Sequence, residues 1–412
     1  RLEQQGAVIH YGRPQKAENL EDDVELVIYT AAVHADNPEF QETLRRNLPS
    51  LTRAQLLGQM MKNYRMPVAV SGTHGKTTTT SMIAEILLKA DTDPTISVGG
   101  ILKDIGGNIR VGGSELFVTE ACEYTNSFLS FFPKVGIILN IEEDHMDFFK
   151  DLADIRSSFH RFAELIPEDG LLIINGSIPQ LSEITGGLAC RVVTFGASPE
   201  NDYYFTNTSH DEEAHASFSL HFHGQVLPVR LGVPGEHNIA NAAAALALAD
   251  YLNLDMAQAA ESLHGFSGTD RRFEYKGSLS GVTIIDDYAH HPTEIEATLK
   301  AAANYPHKTL WCVFQPHTYT RTKAFFHEFA HALSHADRVI LADIYAARET
   351  DTLGISSALL CQEIEQLGTD CHYFPSFEEI EKFILENCIP GDLLITMGAG
   401  NVVNIGEDLL GQ

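Results

Sequence analysis

The chain reads as an α/β protein of three domains built on mostly parallel sheets. Two observations predict this class. Strand-like apolar runs alternate with amphipathic helical segments almost throughout, the rhythm of βα units. The polar residues that interrupt those runs gather at their C-terminal ends, where open parallel sheets bind ligands. A length of 412 residues leaves room for two or three cores, and 44% hydrophobic with 20% charged residues is ordinary for a globular protein.

In chain order, "VELVIYTAAV" (24–33) reads as a strand entering a loop. Pro67 and "VAVSG" open a second sheet, followed by the helix "TTTSMIAEILLKA". "ELFVTEACE" (115–123) and "KVGIILNIEEDH" (134–145) are buried-strand patterns, and "GLLIING" and "RVVTFG" continue the series. "ASFSLHFHGQVLPVRLGVPG" (216–235) alternates apolar and polar residues about a His-Gly turn, which predicts an antiparallel hairpin. An alanine-rich helix, "HNIANAAAALALADYL", comes next. From about residue 269 the βα rhythm restarts and runs to "DLLITMGAG". Domains are therefore expected at 1–64, 65–268 and 269–412. The opening "RLEQQGAVIHYG" resembles mid-domain material, so a piece upstream of Arg1 is expected.

A net charge of −28 argues against general affinity for nucleic acid or anionic membranes, though a local cationic cluster can still hold a small anion. Cys122, Cys190, Cys312, Cys361, Cys371 and Cys388 form no CxxC pair, which suits reduced thiols in a cytoplasmic protein. No apolar run approaches the roughly 18 residues that span a bilayer, and no signal peptide is evident.

The densest chemistry lies in "SGTHGKTTTTS" (71–81). A strand, a turn of Gly72, Thr73, His74 and Gly75, and a helix opening at Lys76, Thr77 and Thr78 would aim backbone N–H groups at a phosphate. Lys76 would add charge over the terminal phosphates, and the Thr77 hydroxyl could ligate Mg²⁺. The strict motif wants a glycine where Val70 stands, so a surface lysine on a Gly-rich turn is the plainer alternative. Glu120 ends its strand beside this loop and is either a Mg²⁺ ligand or a solvated carboxylate. In "NIEEDHMDFF" (140–149), Asp144, His145 and Asp147 could reach a metal or phosphate, although Asp144 could equally cap a helix. Asn238 and Asn241, with His237, open the alanine-rich helix, where amides could read a base edge. Arg271 and Arg272 form an anion clamp or a surface ion pair. "IIDDYAHHPTEI" (284–295) offers Asp287, Tyr288, His290 and His291, and "FQPHTYTRT" (314–322) offers His317, Tyr319 and Arg321. A zinc site from His290, His291 and His317 stands beside a capping role for those histidines.

Together these blocks resemble the Mur ligase family, ATP-dependent amide-bond ligases of peptidoglycan precursor synthesis. "GTHGKTTTTSM" is similar to that family's phosphate loop, which accounts for Val70. "EACEYTNSFL", "NIEEDHMDFF", "PGEHNIANAAAAL", "GFSGTDRRFE", "DDYAHHPTEI", "FQPHTYTRT", "DIYAARETDTLGISS" and "LLITMGAGNV" follow in the family's order across essentially the whole chain. The resemblance implies a Rossmann-like N-terminal domain whose Gly-rich turn lies upstream of Arg1. It implies a central parallel-sheet ATPase domain with a small antiparallel hairpin region, and a Rossmann-like C-terminal domain. The blocks look most like the branch that attaches L-alanine to the carboxylate of UDP-N-acetylmuramate through an acyl phosphate.

That reading makes Lys76, Glu120 and His145 catalytic. Thr77, Glu120 and His145 would hold Mg²⁺. Gly72 to Thr78, Asn238, Asn241, Arg272 and Asp287 would hold ATP, and Tyr288, His290, His317 and Arg321 the alanine. Ligands drawn from two domains imply closure over the acyl phosphate. Two departures stand out: Cys122 and Thr125 replace family aspartates, and Thr318 stands where Arg is common. A branch joining a preformed tripeptide to the same sugar is the runner-up, but its longer acidic-block insert is missing from "EYTNSFLSFFPKVG". A folate-polyglutamate ligase, or a phosphate-loop ATPase acting as a binding module, fits fewer blocks. Monomer and homodimer are both compatible with the sequence.

Overall fold

The structure, a computed structural model, describes residues 2–12, 15–30, 32–347, 349–350 and 353–412. Its strands fall into three sheets. In the first, β1 (Val27–Tyr29) and β2 (Ser50–Thr52) pair in parallel across the helix Pro38–Arg45, which Asn37 caps. β1 lies within "VELVIYTAAV", whose Ala31 is outside the described residues, as are Arg348, Asp351 and Thr352 of "DIYAARETDTLGISS".

The second sheet holds β3 (Met66–Ser71), β4 (Thr95–Leu102), β5 (Gly107–Arg110), β6 (Leu116–Glu120), β7 (Val135–Ile138), β8 (Leu171–Asn175), β9 (Arg191–Gly196), β10 (Tyr203–His210), β11 (His215–Phe222) and β12 (Gln225–Pro234). Its ten strands run β12-β11-β10-β9-β8-β7-β3-β6-β4-β5. Neighbours from β10 to β4 are parallel, and only the two ends are antiparallel. The hairpin β11–β12 forms about His223 and Gly224, and it extends one end of this sheet. β10 pairs with β9 only at Tyr203 and Tyr204, then continues as the first strand of a meander with β11 and β12.

Strands buried on both faces need continuous apolar runs, and β7 and β8 have them. The helices Lys76–Lys89 and His237–Tyr251 cover one face and touch each other, because buried alanines at 242–245 leave room for close approach. The helix Leu152–Glu164 covers the other, with Phe128 stacked on Phe162 at a centroid distance of 4.8 Å.

The third sheet contains β13 (Glu274–Leu279), β14 (Val282–Asp287), β15 (Leu310–Phe314), β16 (Arg338–Leu341), β17 (Asp370–Tyr373) and β18 (Leu393–Met397), in the order β13-β14-β18-β15-β16-β17. Only β13–β14 is antiparallel. The segments after β3 and β7 meet those after β14 and β15 across the boundary between the second and third sheets. No helix among the described residues is long and apolar enough to cross a membrane.

Candidate active site

The loop after β3 is fastened to the end of β7. Asn140 Oδ1 accepts the His74 N–H at 2.8 Å while its Nδ2 donates to the His74 carbonyl at 3.1 Å. The Thr73 hydroxyl accepts the Glu142 N–H at 2.9 Å. Gly75 turns at φ +82, and a Cβ there would stand 2.7 Å from Asn241 Oδ1. The site therefore needs a left-handed residue without a side chain. Lys76 Nζ donates to the Thr73 carbonyl at 2.9 Å and to Glu123 Oε2 at 3.0 Å. Burial disfavours its charge, but Glu123 outweighs that and holds the ammonium above its ordinary value.

Glu120 faces the same helix start. Its Oε2 accepts the Thr77 hydroxyl at 3.1 Å, and its Oε1 the Gly99 N–H at 2.5 Å. These hard oxygen donors suit Mg²⁺. His145 stands 3.6 Å from Glu123 Oε1 and 3.7 Å from Asp144 Oδ2, its ring stacked on Tyr124. Burial holds its pKa below the usual range, against the pull of both carboxylates, so the neutral imidazole can serve as a ligand.

A cavity of ≈ 270 Å³ opens beside the loop, and among its walls are His74, Gly75, Thr78, Asn238, Asn241, Arg272 and Asp287. The amides form a chain: Asn241 Nδ2 donates to Asn238 Oδ1 at 3.0 Å, and Asn238 Nδ2 to the Pro234 carbonyl at 2.7 Å. Asp287 accepts N–H groups from Phe273 and Ala289, and burial raises its pKa to about 6. The two arginines diverge. Arg272 lines the cavity, whereas Arg271 is tied to Asp286 at 2.9 Å and to the carbonyls of Gly398 and Gly400.

Tyr288, His290, His317 and Arg321 form a neighbouring group. His290 lies 5.4 Å from Tyr288 and 5.9 Å from His317 between ring centroids, and Arg321 Nη1 donates to His317 Nδ1 at 3.3 Å. Arg321 also crosses the domain boundary, with Nη2 2.9 Å from Asp144 Oδ1. Thr318 caps the helix Tyr319–Ala324 that carries Arg321. The three-histidine zinc arrangement does not form, because His291 Nε2 donates to the Glu143 carbonyl at 3.0 Å and its Nδ1 accepts from Thr293. His74, Glu142 and His291 instead bring potential ligand atoms within 4.8 Å of one another.

Sequence reasoning passed over Asn140 and Glu294. Asn140 closely follows a buried strand, the same signal that singled out Glu120. A second cavity, ≈ 370 Å³, has Thr52, Arg53, Glu120, Cys122, Thr125 and Asn126 in its wall. Thr125 and Asn126 sit there at φ 55 and 57.

A Gly-rich loop opening a helix at the end of a parallel sheet, beside a cavity also lined from a second α/β domain, defines the class as one of two-domain α/β enzymes. The chain belongs to the Mur ligase family. Residues 1–65 match the Mur ligase family catalytic domain, 70–249 the Mur ligase middle domain and 271–400 the Mur ligase glutamate ligase domain. The chain is 58% identical over 399 residues to the UDP-N-acetylmuramate–L-alanine ligase of Lachnospira eligens, a match covering 96% of this chain and 87% of that protein. The crystal structure of the UDP-N-acetylmuramate–alanine ligase of Thermotoga maritima matches with a TM-score of 0.84 at 29% identity, covering 100% of this chain and 89% of that one. The murein peptide ligase of Psychrobacter arcticus shares the fold, with a TM-score of 0.73 at 24% identity over 100% of this chain and 90% of that one.

Proposed function

We infer that the chain joins L-alanine to the carboxylate of UDP-N-acetylmuramate, using ATP, in peptidoglycan precursor synthesis. The observation that carries this reading is the meeting, at one domain boundary, of the phosphate loop, the nucleotide cavity and the Tyr288–Arg321 group in a chain so near the L-alanine-adding relatives. In the reaction a sugar carboxylate oxygen attacks the γ-phosphorus and ADP leaves. The alanine nitrogen then attacks the acyl carbon, loses its protons, and phosphate departs.

The residue roles are our proposal. Lys76 offsets the charge of two anions brought together for phosphoryl transfer. Thr77, Glu120 and His145 are the candidates for holding Mg²⁺, which when bound would neutralise phosphate charge. Asn238 and Asn241 face the base, Asp287 the ribose and Arg272 the phosphates. Tyr288, His290, His317 and Arg321 hold the amino acid. The ≈ 370 Å³ cavity beside Glu120 is our candidate for the sugar. We place domain boundaries near 64 and 268 and the protein in the cytoplasm, where a nucleotide sugar and ATP meet.

The test is phosphate release with UDP-N-acetylmuramate and ATP, comparing L-alanine with glycine, L-serine and a tripeptide. L-Alanine is expected to give the highest kcat/KM. ATP turnover independent of both sugar and amino acid would sink the reading. Lys76→Ala is expected to abolish turnover while leaving the circular dichroism spectrum unchanged.

A further inference from the structure

Glu294 is assigned no role above, yet it stands where the two halves of the site touch. It lies in the first turn of the helix Pro292–Ala303, where the helix dipole favours an anion, and its side chain is 14% exposed. Its two oxygens serve different partners. Oε1 is 3.2 Å from His74 Nδ1, on the phosphate loop of the central domain. Oε2 is 3.3 Å from His290 Nδ1 and accepts the His290 backbone N–H at 3.2 Å. One carboxylate therefore spans from the nucleotide end of the site to the amino-acid end.

We propose that Glu294 is a positioning residue that couples the phosphate loop, through His74, to the amino-acid pocket, through His290. The proposal rests on the reading of His290 as part of that pocket. A carboxylate on one imidazole nitrogen fixes the tautomer and the ring plane. With the proton of His290 committed to Nδ1, between Glu294 and the Tyr288 carbonyl at 3.1 Å, its Nε2 is left with a lone pair. That lone pair can accept a hydrogen bond from the incoming amino group and so orient its nitrogen toward the acyl carbon. Burial supports this arrangement by keeping His290 neutral, with its pKa pushed down to about 3. On the other side, His74 is held by Asn140 through its backbone and by Glu142 at 3.5 Å through Nε2, so a shift of the loop moves the ring that Glu294 grips. Arg272, His237, His291 and Asp287 complete the charged and titratable surroundings.

The decisive variants are Glu294→Gln and His74→Asn, assayed for phosphate release with sugar, ATP and L-alanine each varied in turn while the other two are saturating. Glutamine keeps the size but cannot accept from both histidines with a charged group. Glu294→Gln is expected to lower kcat/KM for L-alanine roughly tenfold or more and to leave the KM for UDP-N-acetylmuramate close to wild type. His74→Asn, though it lies on the nucleotide side, is also expected to raise the KM for L-alanine. The double variant is expected to lose less than the product of the single losses, because both cut the same link. Should Glu294→Gln fail to fold, His74→Asn alone still decides, since a residue serving only ATP would leave the alanine KM unmoved. An active wild type in which neither variant shifts that KM, or in which the two losses multiply independently, overturns the coupling while leaving the proposed function intact. A wild type that does not use L-alanine overturns both.

Discussion

Gly75 concentrates several demands on one residue. Its φ of +82 is strained for any side chain, and the space a Cβ would take is held by Asn241 Oδ1, 2.7 Å away. Gly75→Ala therefore sets a strain of about 1–3 kcal/mol against displacement of the Asn241–Asn238 amide chain. Affinity for a non-hydrolysable ATP analogue is expected to fall at least roughly tenfold, read by equilibrium binding, with the far-ultraviolet spectrum retained. Wild-type affinity in that variant would show that Asn241 and the loop are not one site. Much at this scale was legible in the sequence. Glu120 and Asp287 stood out as polar residues ending apolar strands, and the structure places one against Thr77 and the other in the wall of the ≈ 270 Å³ cavity. The pairing of Glu123 with Lys76 and the place of Glu294 between His74 and His290 were not legible, because tertiary packing supplies those partners. The two adjacent histidines of "DDYAHHP" looked alike on paper, and only the packing separates His290, facing His317, from His291, facing Glu143.

Among the elements, the helix Arg53–Met61 shows how the first part of the chain bears on the site. Thr52 and Gln55 close a capping box at its start, and Gly58 presses on the segment Tyr124–Ser130, so that a Cβ would lie 1.9 Å from the Ser130 carbonyl oxygen. That segment forms part of the wall of the ≈ 370 Å³ cavity. Gly58→Ala must push the helix away, an overpacking that costs about 1–3 kcal/mol. The expected result is a lower apparent melting temperature and a raised KM for UDP-N-acetylmuramate, with the KM for ATP little changed. A variant with wild-type melting and an unchanged sugar KM would refute the contact. The βα elements were readable because fully buried strands leave apolar runs, and the hairpin because β11 alternates strictly. β10 and the antiparallel edge β4–β5 were missed. "YYFTNTSH" turns polar toward its outer end, and β5 is a four-residue strand with two exposed positions, so neither carries a strong period.

At the scale of the whole molecule, the second and third sheets are held together by a small set of polar contacts around the site. Arg321 meets Asp144 at 2.9 Å, His74 meets Glu294 at 3.2 Å, Thr293 donates to Glu142 at 2.8 Å and Thr269 to Ser81 at 3.1 Å. Their dependence on pH differs. Arg321 and neighbouring histidines hold Asp144 well below the usual carboxylate range despite its burial, so that pair persists through neutral and alkaline pH. His290 and His237, pushed down to about 3 and about 4 mainly by burial, are already neutral there. His74 is the group that changes. Burial works against its charge, but Glu294 and Glu142 raise its pKa from 6.5 to about 9. A histidine raised above its unfolded value contributes its full stabilisation below about pH 6.5 and loses it as pH climbs through about 9. The loss is on the order of 3 kcal/mol. The melting temperature of the wild type is therefore expected to fall across that window more steeply than that of His74→Asn, which has no such proton to lose. Thermal melts of both proteins at intervals from pH 6 to pH 10 give the comparison, with the unfolded thiols and lysines titrating equally in each. Parallel curves would mean that protonated His74 does not hold the domains together; a flattened curve for the variant, joined to the wild type at the alkaline end, is what the His74–Glu294 pair requires.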